Sequence, residues 1–93
     1  MISSFTLVFL PVKMFFRSTH SYFPVPVWTK EASVFPWHYD AQETCYFLEG
    51  EVEVIPESGE PVRMGKGDLA VFPKGLSCTW RITKDVRKHY RFG

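Results

Sequence analysis

Glu43, Cys45 and Cys78 are the side chains best suited to acid–base, nucleophilic or metal chemistry, and their spacing sends them inward. In an extended chain, residues two apart point to the same side, so Glu43, Cys45 and Phe47 share one face, and Cys78, Trp80 and Ile82 share another. An inward carboxylate costs several kcal/mol unless it is paired, hydrogen-bonded, metal-bound or protonated. Glu43 therefore sits at a wet mouth, ligates a metal, or acts as an acid or base in a pocket. Trp37, Tyr39 and Trp80 are placed to line such a mouth. With the Glu43 carboxylate, the Tyr39 hydroxyl and the Cys78 thiol, they would make a flat apolar site for a small molecule, with Cys45 behind it. Cys78 is a nucleophile only if something lowers its pKa, and no histidine can be given that task. The plainer reading is that both cysteines are small buried hydrophobes and the aromatics are core packing.

The elements that would hold these groups are strands. After residue 20, short apolar runs recur between turn signals, the pattern of an all-β sandwich or barrel. Pro24 and Pro26 make 22–28 an extended arm or edge strand. Strands are expected at 35–40, 44–48, 51–55, 62–64, 69–72, 76–83 and 86–92. Glu49-Gly50 reads as a two-residue hairpin turn, which puts Phe47 opposite Val52 and Cys45 on the face of Val54. Further turns fall at Ser58-Gly59, at 65–68 and at 73–75, and Lys84-Asp85 joins the last two strands. The 65–68 turn is no phosphate loop, because it opens no helix and lacks the Walker spacing. In the last strand Lys88 shares a face with Val86, Tyr90 and Phe92, and either snorkels toward water, the preferred reading, or points into the pocket. His38 and His89 are expected at the surface.

The 93 residues suffice for one domain, and a core of this size gains from oligomerisation. Apolar residues are 45% of the chain and aromatics 17%, which excludes a disordered chain. A net charge of +1 excludes a general polyanion binder, so no nucleic-acid partner is expected. The charge is nonetheless uneven. Between Asp40 and Glu60 there are seven acidic side chains and no Lys or Arg; between Arg81 and Gly93 there are five basic ones and a single Asp. These are two solvated strand faces, or the halves of a self-complementary homodimer surface, or a basic patch for an anion. Two cysteines make no disulfide framework, and reduced thiols point to the cytoplasm. A Cys45–Cys78 bridge would need Cα atoms within about 7 Å. The apolar run 2–12 is too short to span a bilayer and lacks the basic start of a signal sequence, so no membrane partner is expected. Residues 1–20 are read as an atypical segment, preferably an added strand, and 21–93 as the folded domain.

Two motifs give the fold a name. Glu43, six residues, then Gly50 resembles the end of the first cupin motif, which runs HxH, three or four residues, Glu, six residues, Gly. Gly67-DLAVF-Pro73-Lys74-Gly75-Leu76-Ser77 resembles the second, Gly, five residues, Pro-x-Gly, two residues, His, up to its last position. The stretches PW-x-Y-D, ETCY-x-LEGEVEV, GDLAVFPKGLSCTW and VRKHYRF resemble the small cupins grouped with the cupin domain of (S)-ureidoglycine aminohydrolase, from about Trp28 to Phe92. The resemblance implies a small jelly-roll β-barrel of the cupin type. Members of that group are mostly short proteins without an established substrate. It also implies a metal site, but its histidines are replaced here by Trp37, Tyr39 and Cys78, leaving Glu43. Glu43 and Cys78, helped by Cys45, could form at most a soft zinc-like or copper-like site with a divalent transition metal.

The expectation is thus a small cupin that binds a small polar metabolite in an aromatic-lined pocket, with no cofactor. One alternative is a metal-dependent enzyme acting on a ureide-like C–N bond, with Glu43 and Cys78 as ligands. The other is a non-catalytic dimerisation module.

Overall fold

In the computed structural model, residues 8–10 and 26–93 are described, and they are all strand, turn and bend. Seven strands run β1 (Val8–Leu10), β2 (Val27–Lys30), β3 (Ser33–His38), β4 (Glu43–Pro56), β5 (Val62–Gly65), β6 (Leu69–Phe72) and β7 (Ser77–Phe92). Every pairing among them is antiparallel. The order is β1-β6-β4-β7-β2, with β3 also on β7 and β5 also on β4. This is the all-β architecture of a cupin jelly roll. Apart from β1, which pairs with β6, the segment 1–20 lies outside the described residues, as do 22–25 of the expected arm.

The spine is the β4–β7 ribbon, and it corrects two expectations. Glu49-Gly50 is no hairpin turn and Lys84-Asp85 is no connection; each lies inside one long strand of 14 or 16 residues. The ribbon runs unbroken from Glu43↔Phe92 to Pro56↔Cys78, with register shifts between Phe47 and Val52. The inferred faces are nevertheless those of the structure: Cys45, Phe47, Val52 and Val54 are all buried. Phe47 and Val52 are an odd number of residues apart, so a regular strand would send them to opposite sides. The bulged stretch supplies the missing half-period, as a turn would have done.

Gly50 sits at that irregularity with φ +105°, a left-handed conformation that side chains resist. A Cβ there would stand 2.4 Å from the Asp85 carbonyl oxygen and 2.7 Å from the Val86 Cα. The glycine lets two backbones meet where both long strands bend.

The concave side of the ribbon is packed with rings. Trp80 is 2% exposed and lies 5.7 to 6.2 Å, centroid to centroid, from Trp28, Phe35, Phe47 and Phe72. Tyr39 stacks on Phe72 at 5.0 Å and 3°. The Gly65–Asp68 turn is closed by Asp68 N–H donating to the Gly65 carbonyl and by Gly65 N–H donating to the Asp68 carboxylate.

Candidate functional site

A cavity of about 470 Å³ opens at the end of this core. Its walls are Trp28 from β2, Phe35, Pro36 and Trp37 from β3, Trp80 and Tyr90 from β7, and Tyr39. β3 and β2 lie end to end along the same edge of β7, so their inward residues face one space. Trp37 is half-exposed at the mouth, edge-on to the buried Tyr39 ring at 6.4 Å.

At the floor are two charges. Glu43 and Lys88 are buried, and the Lys88 ammonium donates to Glu43 Oε2 at 2.8 Å. The same Nζ lies 4.7 Å from the Trp28 ring centroid and 4.5 Å from that of Trp80. Lys88 therefore does not snorkel, contrary to expectation. Its strand face is the core face, and a carboxylate and two indoles replace the water it leaves. The alternation of Val86, Lys88 and Tyr90 carried the signal; what was missing was the partner, forty-five residues away, and Trp28.

The sequence-derived site residues divide into two layers. Trp37, Tyr39, Glu43 and Trp80 line the cavity; Cys45 and Cys78 are buried but do not line it. Both cysteines are free. Burial pushes the Cys45 thiol up to about 12, only partly opposed by the Lys88 ammonium nearby. Burial likewise raises Cys78 to about 11, and the Trp80 N–H nearby pulls the other way. Neither is a ready thiolate at neutral pH. Tyr39 is raised well above the usual phenol range, first by burial and then by Glu43. Trp80 Nε1 has no hydrogen-bond partner among the described residues.

This donor set does not suit the metal of the cupin motif. Trp37 offers no donor atom, Cys45 and Cys78 do not line the cavity, and Glu43 is already engaged by an ammonium. Among the described residues no group of three or more His, Cys, Asp and Glu side chains converges on one point. His38 is exposed and turned to Ser77 Oγ at 2.7 Å. A larger depression, about 680 Å³, lies on another face. It is lined by charged side chains such as Glu53 and Arg81, which pair with each other at 3.8 Å, and it holds no buried reactive group.

The DUF861 family protein TM1112 from Thermotoga maritima is 41% identical, with 97% of this chain and 100% of that chain covered and a TM-score of 0.78. A DUF861-family protein from Pseudomonas syringae pv. tomato is 26% identical over 72% of this chain but 29% of its own, with a TM-score of 0.66. The EutQ protein of Clostridium difficile shares the fold at 20% identity and a TM-score of 0.66, over 96% of this chain and 68% of that one. No curated protein matches the chain. Residues 18–90 match the model of the EutQ-like cupin domain. With an all-antiparallel β fold and a relative 41% identical over nearly the whole chain, this establishes that the chain belongs to the EutQ-like cupin family.

Proposed function

We propose that this cupin binds a small polar metabolite in the aromatic cavity, with the Glu43–Lys88 pair as its polar anchor. The observation that carries this reading is a buried ion pair lining an open cavity, not sealed inside the core. A buried pair is a poor stabiliser relative to apolar packing, so its presence beside a cavity favours recognition. The volume, toward the lower end of ligand pockets, fits a small compound with a flat face for Trp28, Trp37 and Tyr90.

A hydrolytic ureide reaction through a bound metal is the less favoured reading, because Glu43 and Cys78 do not form a suitable donor set. The free thiols fit a reducing compartment such as the cytoplasm. No helix among the described residues is long and apolar enough to cross a membrane.

A thermal-shift screen with a panel of small polar metabolites tests the proposal. A ligand at a hundred times its Kd stabilises by about 2.7 kcal/mol, which raises Tm by roughly 10 °C or more for a domain of this size. Glu43→Gln should abolish the shift for the same compound and leave far-UV circular dichroism unchanged. A panel that leaves the wild-type Tm within error throughout would overturn the binding reading.

A further inference from the structure

Two lysines line the cavity, and they are placed differently. Lys30 is exposed at the rim, its ammonium 5.4 Å from the Phe35 ring centroid. Lys88 is 4% exposed at the floor, its nitrogen 4.7 and 4.5 Å from the ring centroids of Trp28 and Trp80, which stand nearly perpendicular to each other, and 2.8 Å from a carboxylate oxygen. We propose that Lys88 captures a small aldehyde or ketone at the cavity floor as a covalent imine. The proposal rests on the pocket-binding reading and names the chemical class of its ligand.

The reaction needs a proton acceptor beside the amine, a route for water, and a charge balance that survives the change. Glu43 Oε2 supplies the first, at hydrogen-bond distance from Nζ. It takes one ammonium proton, and the freed lone pair of the amine adds to the carbonyl carbon. The carbonyl π pair moves to oxygen, which takes that proton back from Glu43. A second N–H proton then passes through Glu43 to the new hydroxyl. Water departs through the open mouth as the nitrogen lone pair forms the C=N bond. The sum is ammonium plus carbonyl giving iminium plus water, with Glu43 regenerated as carboxylate.

Charge is what makes this product fit. The iminium nitrogen keeps one positive charge at the same place, against the same carboxylate and beside the same rings. Acylation of Lys88 would instead strip the cation and leave Glu43 unpaired at 3% exposure. Trp28, Phe35, Trp37 and Tyr90 supply apolar walls around the C=N bond.

The test is reductive trapping at neutral pH with butanal and, separately, pyruvate, in sodium cyanoborohydride. Peptide mass mapping then locates the alkylated lysine. Lys88 should be labelled at least about tenfold faster than exposed Lys66, Lys74 or Lys84, because a positioned acid–base group is worth about 10²–10⁴. Lys88→Arg keeps a cation in the cage and should remove the fast phase. If a probe raises Tm without labelling Lys88 faster than the exposed lysines, the imine is overturned and the binding pocket stands. If neither probe shifts Tm nor labels Lys88 selectively, and the metabolite panel also fails, both readings fall.

Discussion

Removing the Lys88 ammonium while keeping an unbranched stem as far as Cε, Lys88→Met, isolates the ion pair from its apolar surroundings. Glu43 is then left at 3% exposure without its 2.8 Å partner. Breaking a buried pair from one side costs about 3–5 kcal/mol, because the remaining charge has lost both water and counter-charge. The loss of contact with the Trp28 and Trp80 faces adds about 0.5–2 kcal/mol, partly recovered by the methionine thioether against the same rings. A total of about 4 kcal/mol corresponds to roughly 15–30 °C in Tm for a domain this small. Glu43→Gln should be destabilising for the mirror reason. The double variant Lys88→Met with Glu43→Gln removes both charges and should recover most of the loss. Urea unfolding at neutral pH on all four proteins gives the coupling energy directly, expected at about 2 kcal/mol or more. Strictly additive single losses, within about 0.5 kcal/mol, would refute the claim that the two charges hold each other in the core.

Three further outcomes follow from other parts of the molecule. Gly50→Ala should prevent stable folding, since its Cβ would meet the Asp85 and Val86 backbone below 3 Å, whereas Gly67→Ala, with φ +91° but nothing within 4 Å, should cost only about 1 kcal/mol; comparable unfolding midpoints would refute the close-approach argument. Cys45 holds its proton more tightly when folded, so its contribution is complete below the ordinary thiol range near 9 and is lost as pH rises toward about 12. Three units correspond to about 4 kcal/mol, so urea midpoints should fall across that window, and Cys45→Ala should fall less steeply. Elemental analysis of protein purified without a metal-affinity tag should find less than about a tenth of an equivalent of any transition metal, because the inward donors are poor ligands; a stoichiometric metal would reverse that assignment.

How much of this was legible depends on the range of the information. Strand faces were, because alternation is local: Cys45 with Phe47 and Cys78 with Trp80 need only parity. The two turns inside β4 and β7 were misread because Glu49-Gly50 and Lys84-Asp85 have the composition of reversals. A bulge and a hairpin use the same residues for the same reason, tolerance of unusual backbone angles. What separates them is whether the partner strand continues alongside, and that is decided by β7, more than thirty residues away. Lys88 was misread for a related cause. Its burial is tolerable only beside Glu43, Trp28 and Trp80, which come from three different strands.

The same three strands explain why the loss of the cupin histidines leaves a coherent site. In the motif, imidazoles and a carboxylate surround a cation that the protein must acquire. Here the carboxylate is kept as Glu43 and the cation is Lys88, tethered to β7. Trp37 and Tyr39 stand where two of the imidazoles would be, while the rings of Trp28 and Trp80, from other positions, receive the ammonium. A lone reversion, Cys78→His, would add one imidazole behind a cavity whose carboxylate remains engaged. It should recruit no metal unless Lys88 is removed as well. Zinc titration of Cys78→His and of Cys78→His with Lys88→Met decides this: binding should require the second change, and equal affinity in both would show that Lys88 does not occupy the place of the metal.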